Sequence, residues 1–182
     1  MLVSHKYKFI FFKTIKTASS SVFDFFAPFC LPKKFHKENN GDSDYLLDKY
    51  IGVYKTGIVG DSSTENLAKK RHVFCEDVKE IVDKIDIEIW DSYFKFCVVR
   101  NPWDLCVSRF FWLKKLRKEN NLTNEKVIKL EFEKMIAGMH DVFFKNLKTS
   151  YKFAIKNPEN IYKMNGEYIC DFHIKYENLK SD

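Results

Sequence analysis

The sequence has few of the residues that build sharp turns or disulfide frameworks. It contains six glycines, four prolines and five cysteines in 182 residues, and no Cys-x-x-Cys pair. An odd number of scattered cysteines argues against a disulfide framework and against a zinc site, and indicates buried thiols in a reducing compartment. No segment is long enough to span a bilayer, and Phe9–Phe12 is too short for a signal peptide. We therefore expect a cytoplasmic chain without a transmembrane segment.

Arginine is scarce although the chain is basic. There are 31 Lys and Arg residues against 25 Asp and Glu, a net charge of +6, yet the arginines are only Arg71, Arg100, Arg109 and Arg117. This charge favours an anionic partner without choosing between nucleotide, nucleic acid, acidic glycan and membrane surface. Because a guanidinium holds a phosphate with two parallel hydrogen bonds, an arginine in this lysine-rich chain indicates a site that needs such geometry.

Hydrophobic residues, by contrast, are abundant. They make up 45% of the chain, and 18 residues are phenylalanine, which predicts one densely packed domain over residues 1–182. Alternating strands and helices indicate an α/β fold: a central, mostly parallel sheet flanked by helices in three layers, P-loop-like. The predicted strands are Tyr7–Phe12, Phe94–Val99 and one or two within Tyr168–Tyr176. One predicted helix follows directly after Ser21. The other predicted helices cover Asp61–Lys70, Glu76–Ile85, Pro102–Asn120, Asn124–Gly138 and His140–Ile155. The composition of Lys33–Ser43 predicts a polar loop, and Tyr45–Val59 has no clear helical or strand periodicity.

The first of two strand-to-helix junctions follows Phe12. Its residues of interest are Lys16, Thr17, Ala18, Ser19, Ser20 and Ser21. Backbone N–H groups and the positive end of the helix dipole point into such a loop, and hydroxyls and an ammonium complete a phosphate site. The glycines of the G-x-x-x-x-G-K-[ST] pattern are absent, which disfavours an ATP or GTP site of the Walker type.

The second junction follows Val99 and reads RNPWDLCVS, with Arg100 at the turn and Ser108 at its end. Asn101 is a good N-cap residue and Pro102 a good first helical residue, so the helix is predicted to begin there. In an α/β sheet both junctions lie at the carboxyl edge of the strands, where ligands bind.

Together these junctions resemble the sulfotransferases that use 3′-phosphoadenosine 5′-phosphosulfate (PAPS), in the heparan- and chondroitin-type carbohydrate branch. KTASSS is similar to that family's 5′-phosphosulfate loop, and VVRNPWDLCVSRF is similar to its 3′-phosphate signature. RHVFCEDVKEIV resembles its histidine-containing segment, and GEYICDFHIKYENL resembles its late strand. The four motifs keep the family's order between Phe9 and Leu179.

The resemblance implies transfer of a sulfuryl group from PAPS to a hydroxyl, expected on a carbohydrate, without a metal and with no nucleic acid as partner. Lys16 would stabilise the leaving 5′-phosphate, and the loop from Thr17 to Ser21 would hold it. Arg100 and Ser108 would bind the 3′-phosphate, and His72 would act as the base. Family members usually continue beyond the Glu-Asn-Leu segment, so the resemblance also implies a chain truncated at its C-terminus or a minimal member.

Two other functions remain open from the sequence. One is a nucleotide kinase or NTPase on a P-loop-like sheet, and the other is a non-catalytic basic module that binds RNA or an anionic glycan. Each site residue also has a structural interpretation. Arg100 alone could serve as an ion-pair partner, and His72, next to Arg71, could belong to a basic surface.

Overall fold

The structure is a computed structural model that describes residues 1–38, 52–60, 75–84, 86–116, 125–136 and 161–179. Within these ranges the strands are β1 (Leu2–Ser4), β2 (Phe9–Phe12), β3 (Gly52–Tyr54), β4 (Gly57–Val59), β5 (Phe94–Val99), β6 (Lys163–Met164), β7 (Glu167–Tyr168) and β8 (Phe172–Lys175). The α-helices are α1 (Ser19–Phe26), α2 (Cys75–Asp83), α3 (Glu88–Ser92), α4 (Pro102–Leu116) and α5 (Glu125–Ile136). Short 3-10 helices cover Ala27–Phe29, Lys33–Glu38 and Tyr176–Asn178.

Six of the described strands form one mixed sheet in the order β3-β4-β1-β2-β5-β8, while β6 and β7 form a separate hairpin. The pairs β2–β5 and β5–β8 are parallel, whereas β3–β4, β4–β1 and β1–β2 are antiparallel. The α/β class is therefore confirmed. The parallel arrangement expected from the sequence holds for the three strands β2, β5 and β8, whose carboxyl ends meet at one edge.

Both faces of the sheet are buried, as the nearly unbroken apolar run in β5 predicts. On one face, Phe12 and Cys97 pack with Val78 and Val82 of α2 and with Phe110 of α4. On the other face, neighbouring strand residues such as Phe11 and Phe96 pack with α1. Because successive strand residues point to opposite faces, one apolar run supplies two separate clusters.

The start of α4 is as the sequence predicts. Pro102 is its first residue, and the side-chain oxygen of Asn101 accepts a hydrogen bond of 3.0 Å from the N–H of Trp103. That bond satisfies a donor that the first turn of a helix otherwise leaves without a partner. The predicted strands β2 and β5 and the helices α2, α4 and α5 are likewise found within the described residues. Strand β5 has the predicted bounds, and β2 begins two residues later than predicted.

Other elements differ from the sequence-based expectation. The strands β1, β3 and β4 have three residues each, which is too short for a period-two pattern to be recognised. Part of the polar loop predicted from Lys33 is a 3-10 helix. The helices predicted over Asp61–Lys70 and His140–Ile155 lie outside the described residues. In the described part of the chain, no helix has the length and apolar character needed to cross a bilayer.

Gly57 provides a test of the pairing between β1 and β4. It has φ 159°, and a Cβ at this position would lie 2.0 Å from the backbone oxygen of Val3. Because the carbonyl belongs to the neighbouring strand, Gly57→Ala must displace the ladder. We expect a loss of about 3 kcal/mol in the free energy of unfolding, measured by urea denaturation.

Gly166→Ala is the matched control. Gly166 has φ 84°, and a Cβ built on it would have nothing within 4 Å. Gly166→Ala should therefore lower the free energy of unfolding by only about 1 kcal/mol, the cost of a left-handed conformation. Equal losses in the two variants would contradict the close approach at Gly57.

Candidate functional site

The loop between β2 and α1 turns through two left-handed residues. Lys16 has φ 62° and Ala18 has φ 58°, while Thr17 between them does not have a positive φ. Glycine usually occupies such positions, because a Cβ there costs about 1–2 kcal/mol. Backbone whose φ alternates in sign can turn successive N–H groups toward one concavity, as in many anion sites. The loop therefore has the backbone conformation that glycine favours, although it contains no glycine.

Buried hydroxyls hold this loop against the sheet. The hydroxyl of Thr14 donates to the carbonyl oxygen of Val98 on β5 at 2.6 Å, and it lies 2.6 Å from the hydroxyl of Thr17. The hydroxyl of Ser19 donates to the carbonyl oxygen of Thr14. The hydroxyls of Thr17 and Ser19, both proposed from the sequence to bind a ligand, are therefore engaged within the loop.

The first turn of α1 carries two exposed hydroxyls. Ser20 and Ser21 are exposed there, and the turn contains no acidic residue. Ala18 occupies the N-cap position and supplies no side-chain cap, although its carbonyl accepts a hydrogen bond of 3.3 Å from the N–H of Val22. The N–H groups of a first turn carry the positive end of the helix dipole, so this end of α1 suits an anion.

The two lysines of the loop have different environments. Lys13 is only 3% exposed, and its ammonium lies 5.0 Å from the centre of the Phe23 ring. Lys16 is half-buried, and its ammonium lies 5.7 Å from the centre of the Trp112 ring on α4. Of these two cations, Lys16 is the more accessible to a ligand at the carboxyl edge of the sheet.

Arg100 joins the two junctions directly. Its Nη1 donates to the carbonyl oxygen of Lys16 at 2.9 Å, and its Nε donates to the carboxylate of Asp104 at 2.6 Å. The guanidinium carbon lies 4.0 Å from the centre of the Tyr176 ring, which follows β8. Among the described residues no acceptor is found for Nη2, so this nitrogen can bind an anion while the other contacts persist.

The segment after β8 closes the site on a third side. The carboxylate of Glu177 accepts a hydrogen bond of 2.6 Å from the N–H of Asn101, and this bond lowers the pKa of that carboxyl. Glu177 and Tyr176 belong to the KYENL segment, which was recognised in the sequence but given no role. Asp104 was also missed. Its spacing of four residues from Arg100 on a helix start is the signal that could have identified it.

Two residues expected at the site are not brought into these contacts. Ser108 is half-buried, two turns into α4, and it is not among the partners of Arg100. His72 lies outside the described residues. The structure therefore assembles Lys16, Arg100 and the loop from Thr17 to Ser21.

These elements define an α/β protein with a helix-start loop and an arginine at adjacent parallel strand ends. No family model matches the sequence, and no solved structure matches it either. A protein of Archaeoglobus fulgidus described as uncharacterized is 30% identical over 102 residues, which cover 56% of this chain and 71% of the archaeal chain. The chain belongs to the same family as this archaeal protein, whose description states no function.

The strain at Ala18 can be measured. Ala18→Gly removes the Cβ at a left-handed position, which should gain about 1–2 kcal/mol, less about 0.4–1 kcal/mol for the freer unfolded chain. We expect the free energy of unfolding to rise by about 0.5–1 kcal/mol, measured by urea denaturation.

Ala27→Gly is the comparison. Ala27 directly follows α1 as its C-cap residue and has helical φ −55°, so glycine there should cost about 1 kcal/mol. The two alanine-to-glycine changes should therefore have opposite signs. A loss of stability in both would show that Ala18 is not strained.

Proposed function

We propose that the protein is a PAPS-dependent sulfotransferase of P-loop-like fold that transfers a sulfuryl group to a hydroxyl of a carbohydrate. The observation that carries the proposal is the hydrogen bond of 2.9 Å from Arg100 to the carbonyl oxygen of Lys16. It links the segment that resembles a 5′-phosphosulfate loop to the segment that resembles a 3′-phosphate signature. PAPS carries phosphates on both the 3′ and the 5′ oxygen of its ribose, so it needs two groups of donors, and the edge formed by β2 and β5 offers them.

The residues at the 5′ end fit an anionic group. The first turn of α1 presents N–H groups and the exposed Ser20 and Ser21, with no acidic side chain in that turn. Lys16 is half-buried, lies three residues before Ser19 and adds a positive charge to this loop. A phosphate placed there would receive hydrogen bonds from backbone and hydroxyl donors.

At the 3′ end, the fit depends on Arg100. A guanidinium has five N–H donors, and the contacts to Asp104 and to the Lys16 carbonyl leave Nη2 available. The carboxylate of Asp104 is a competitor, because it holds Nε and would repel a phosphate. Binding of a 3′-phosphate therefore requires Arg100 to share its charge or to exchange Asp104 for the ligand.

The chemistry that PAPS supplies is an activated sulfuryl group: the acceptor oxygen bonds to sulfur as the bond from sulfur to the 5′-phosphate oxygen breaks. In this reaction Lys16 would neutralise the negative charge on the departing oxygen. The N–H groups of the loop would hold and orient the 5′-phosphate. By the same resemblance, His72 would receive the proton of the acceptor hydroxyl, a role that imidazole groups commonly have in catalysis.

Binding of the product analogue tests the nucleotide site. Adenosine 3′,5′-bisphosphate (PAP) at about 100 times its Kd should stabilise the wild type by about 2.7 kcal/mol, which raises the melting temperature by about 5–10 °C. AMP lacks the 3′-phosphate and should stabilise less. In Arg100→Ala the advantage of PAP over AMP should disappear, measured by differential scanning fluorimetry.

Two variants serve as controls for this measurement. Lys6→Ala changes an exposed lysine in the turn at the opposite end of β2 and should keep the full PAP response. Asp104→Asn breaks the ion pair but keeps Arg100, so it should bind PAP at least as tightly as the wild type. A wild type that does not respond to PAP would overturn the proposal, and a larger response to ATP with Mg²⁺ would favour a kinase.

Transfer itself should depend on Lys16. Lys16→Ala removes the charge beside the leaving oxygen, and we expect the rate to fall by at least about 100-fold. His72→Ala should reduce it by about 100- to 10,000-fold. The measurement is transfer of radiolabelled sulfate from PAPS to desulfated heparan or chondroitin.

The transfer and binding measurements also distinguish the enzyme from a non-catalytic module that binds polyanions. Lys6→Ala should retain wild-type transfer. Salt-sensitive RNA binding that PAP does not compete with, and that Arg100→Ala leaves unchanged, would contradict the enzyme and support a basic binding module.

A further inference from the structure

Away from the loop site, two thiols and an imidazole meet where β8 pairs with β5. The sulfurs of Cys97 and Cys170 and one ring nitrogen of His173 all lie within 4.8 Å of one another. Cys97 and His173 are direct partners in the parallel ladder, and Cys170 lies two residues before β8. Residues that face each other across two strands project to the same side of the sheet, so the backbone pairing itself collects these groups.

The imidazole in this cluster has an unused nitrogen. Nε2 of His173 is buried and has no hydrogen-bond partner among the described residues. The rings of Tyr162 and Tyr168 enclose the imidazole, with centroids 6.1 Å and 5.5 Å away. Burial lowers the pKa of the His173 imidazole. A buried polar nitrogen without a partner is unusual, and an ion that the cluster binds is one explanation.

The two cysteines provide soft ligands. Both are free thiols, Cys97 fully buried and Cys170 half-buried. The neighbouring Cys97 thiol and the burial of the site raise the pKa of the Cys170 thiol. The nearby Lys95 favours the thiolate, whereas Asp171 opposes it. A metal ion would replace the thiol protons and supply the positive charge that buried thiolates require.

We propose that Cys97, Cys170 and His173 bind a zinc ion, with release of two protons and with the fourth position open to water. Zinc takes sulfur at about 2.3 Å and nitrogen at about 2.0–2.1 Å, so tetrahedral ligand atoms lie about 3.5–4 Å apart. The distances between the two sulfurs and the imidazole nitrogen therefore need to shorten by only about 1 Å. The ion would bind β5 to the segment that enters β8. This inference does not depend on the proposed transferase activity.

The site was not expected from the sequence, where the lack of a Cys-x-x-Cys pair argued against zinc. That argument applies to sites built within one loop or hairpin. Cys97 and Cys170 are far apart along the chain and are neighbours only because β5 and β8 pair. A disulfide between them would need an oxidant, whereas metal binding needs none, and a disulfide leaves the imidazole without a role.

Cobalt(II) is the probe that tests this site. The full-length protein, reduced and freed of metal, is titrated with Co²⁺ in an absorption spectrometer. We expect a thiolate-to-cobalt charge-transfer band and intense visible bands of a tetrahedral ion, saturating at one equivalent and lost when one equivalent of Zn²⁺ is added. In Cys170→Ser and His173→Ala the affinity should fall by more than about 100-fold, because loss of an outer partner alone costs about 10- to 100-fold.

Cys106→Ser is the matched control, since Cys106 is another half-buried cysteine but lies on α4 outside the cluster. It should bind cobalt as the wild type does. A wild-type protein without the charge-transfer band overturns the proposal, whatever the variants do. So does a Cys170→Ser protein that keeps the band, or a Cys97–Cys170 disulfide whose reduced form binds no cobalt.

Discussion

The guanidinium of Arg100 connects the carboxyl ends of three parallel strands. It donates a hydrogen bond to the loop that follows β2, it stands at the end of β5, and it stacks on Tyr176 after β8. Since its side chain is only 14% exposed, these contacts are shielded from solvent. The geometry is possible only because the three strands run in the same direction. The candidate site therefore depends on a half-buried guanidinium at the centre of a parallel edge.

The strain of the loop is balanced by hydrogen bonds of similar size. Two left-handed residues, Lys16 and Ala18, cost about 1–2 kcal/mol each. The hydroxyl of Thr14 anchors the loop to the carbonyl oxygen of Val98, and a neutral hydrogen bond of this kind contributes about 0.5–1.5 kcal/mol. The bond from Arg100 to the Lys16 carbonyl has a charged donor and contributes about 1.5–3 kcal/mol. The loop can keep its two left-handed residues because it is hydrogen-bonded to β5 and to Arg100, which follows β5.

Elements with a local sequence signal were predictable, whereas the shortest strands were not. The helices α2 and α5 have regular apolar spacing, α4 begins at the Asn101-Pro102 cap signal, and the strands β2 and β5 are apolar runs. The strands β1, β3 and β4 have three residues each, and their existence depends on pairing with distant chain. Likewise, Lys16 and Arg100 were identified by their positions after strands. Asp104 and Tyr176 became relevant only through their contacts with the guanidinium.

Local chemistry alone decided where α4 begins, because Asn101 and Pro102 act within one turn of helix. It also decided which residues stand in the loop after β2 and in the turn after β5. Only the tertiary structure decided that Arg100 reaches the carbonyl oxygen of Lys16, 84 residues away, and that Cys97 faces His173. The physical reason is that hydrophobic spacing specifies each element and the face it buries. The order in which strands pair is chosen by packing across the whole sheet.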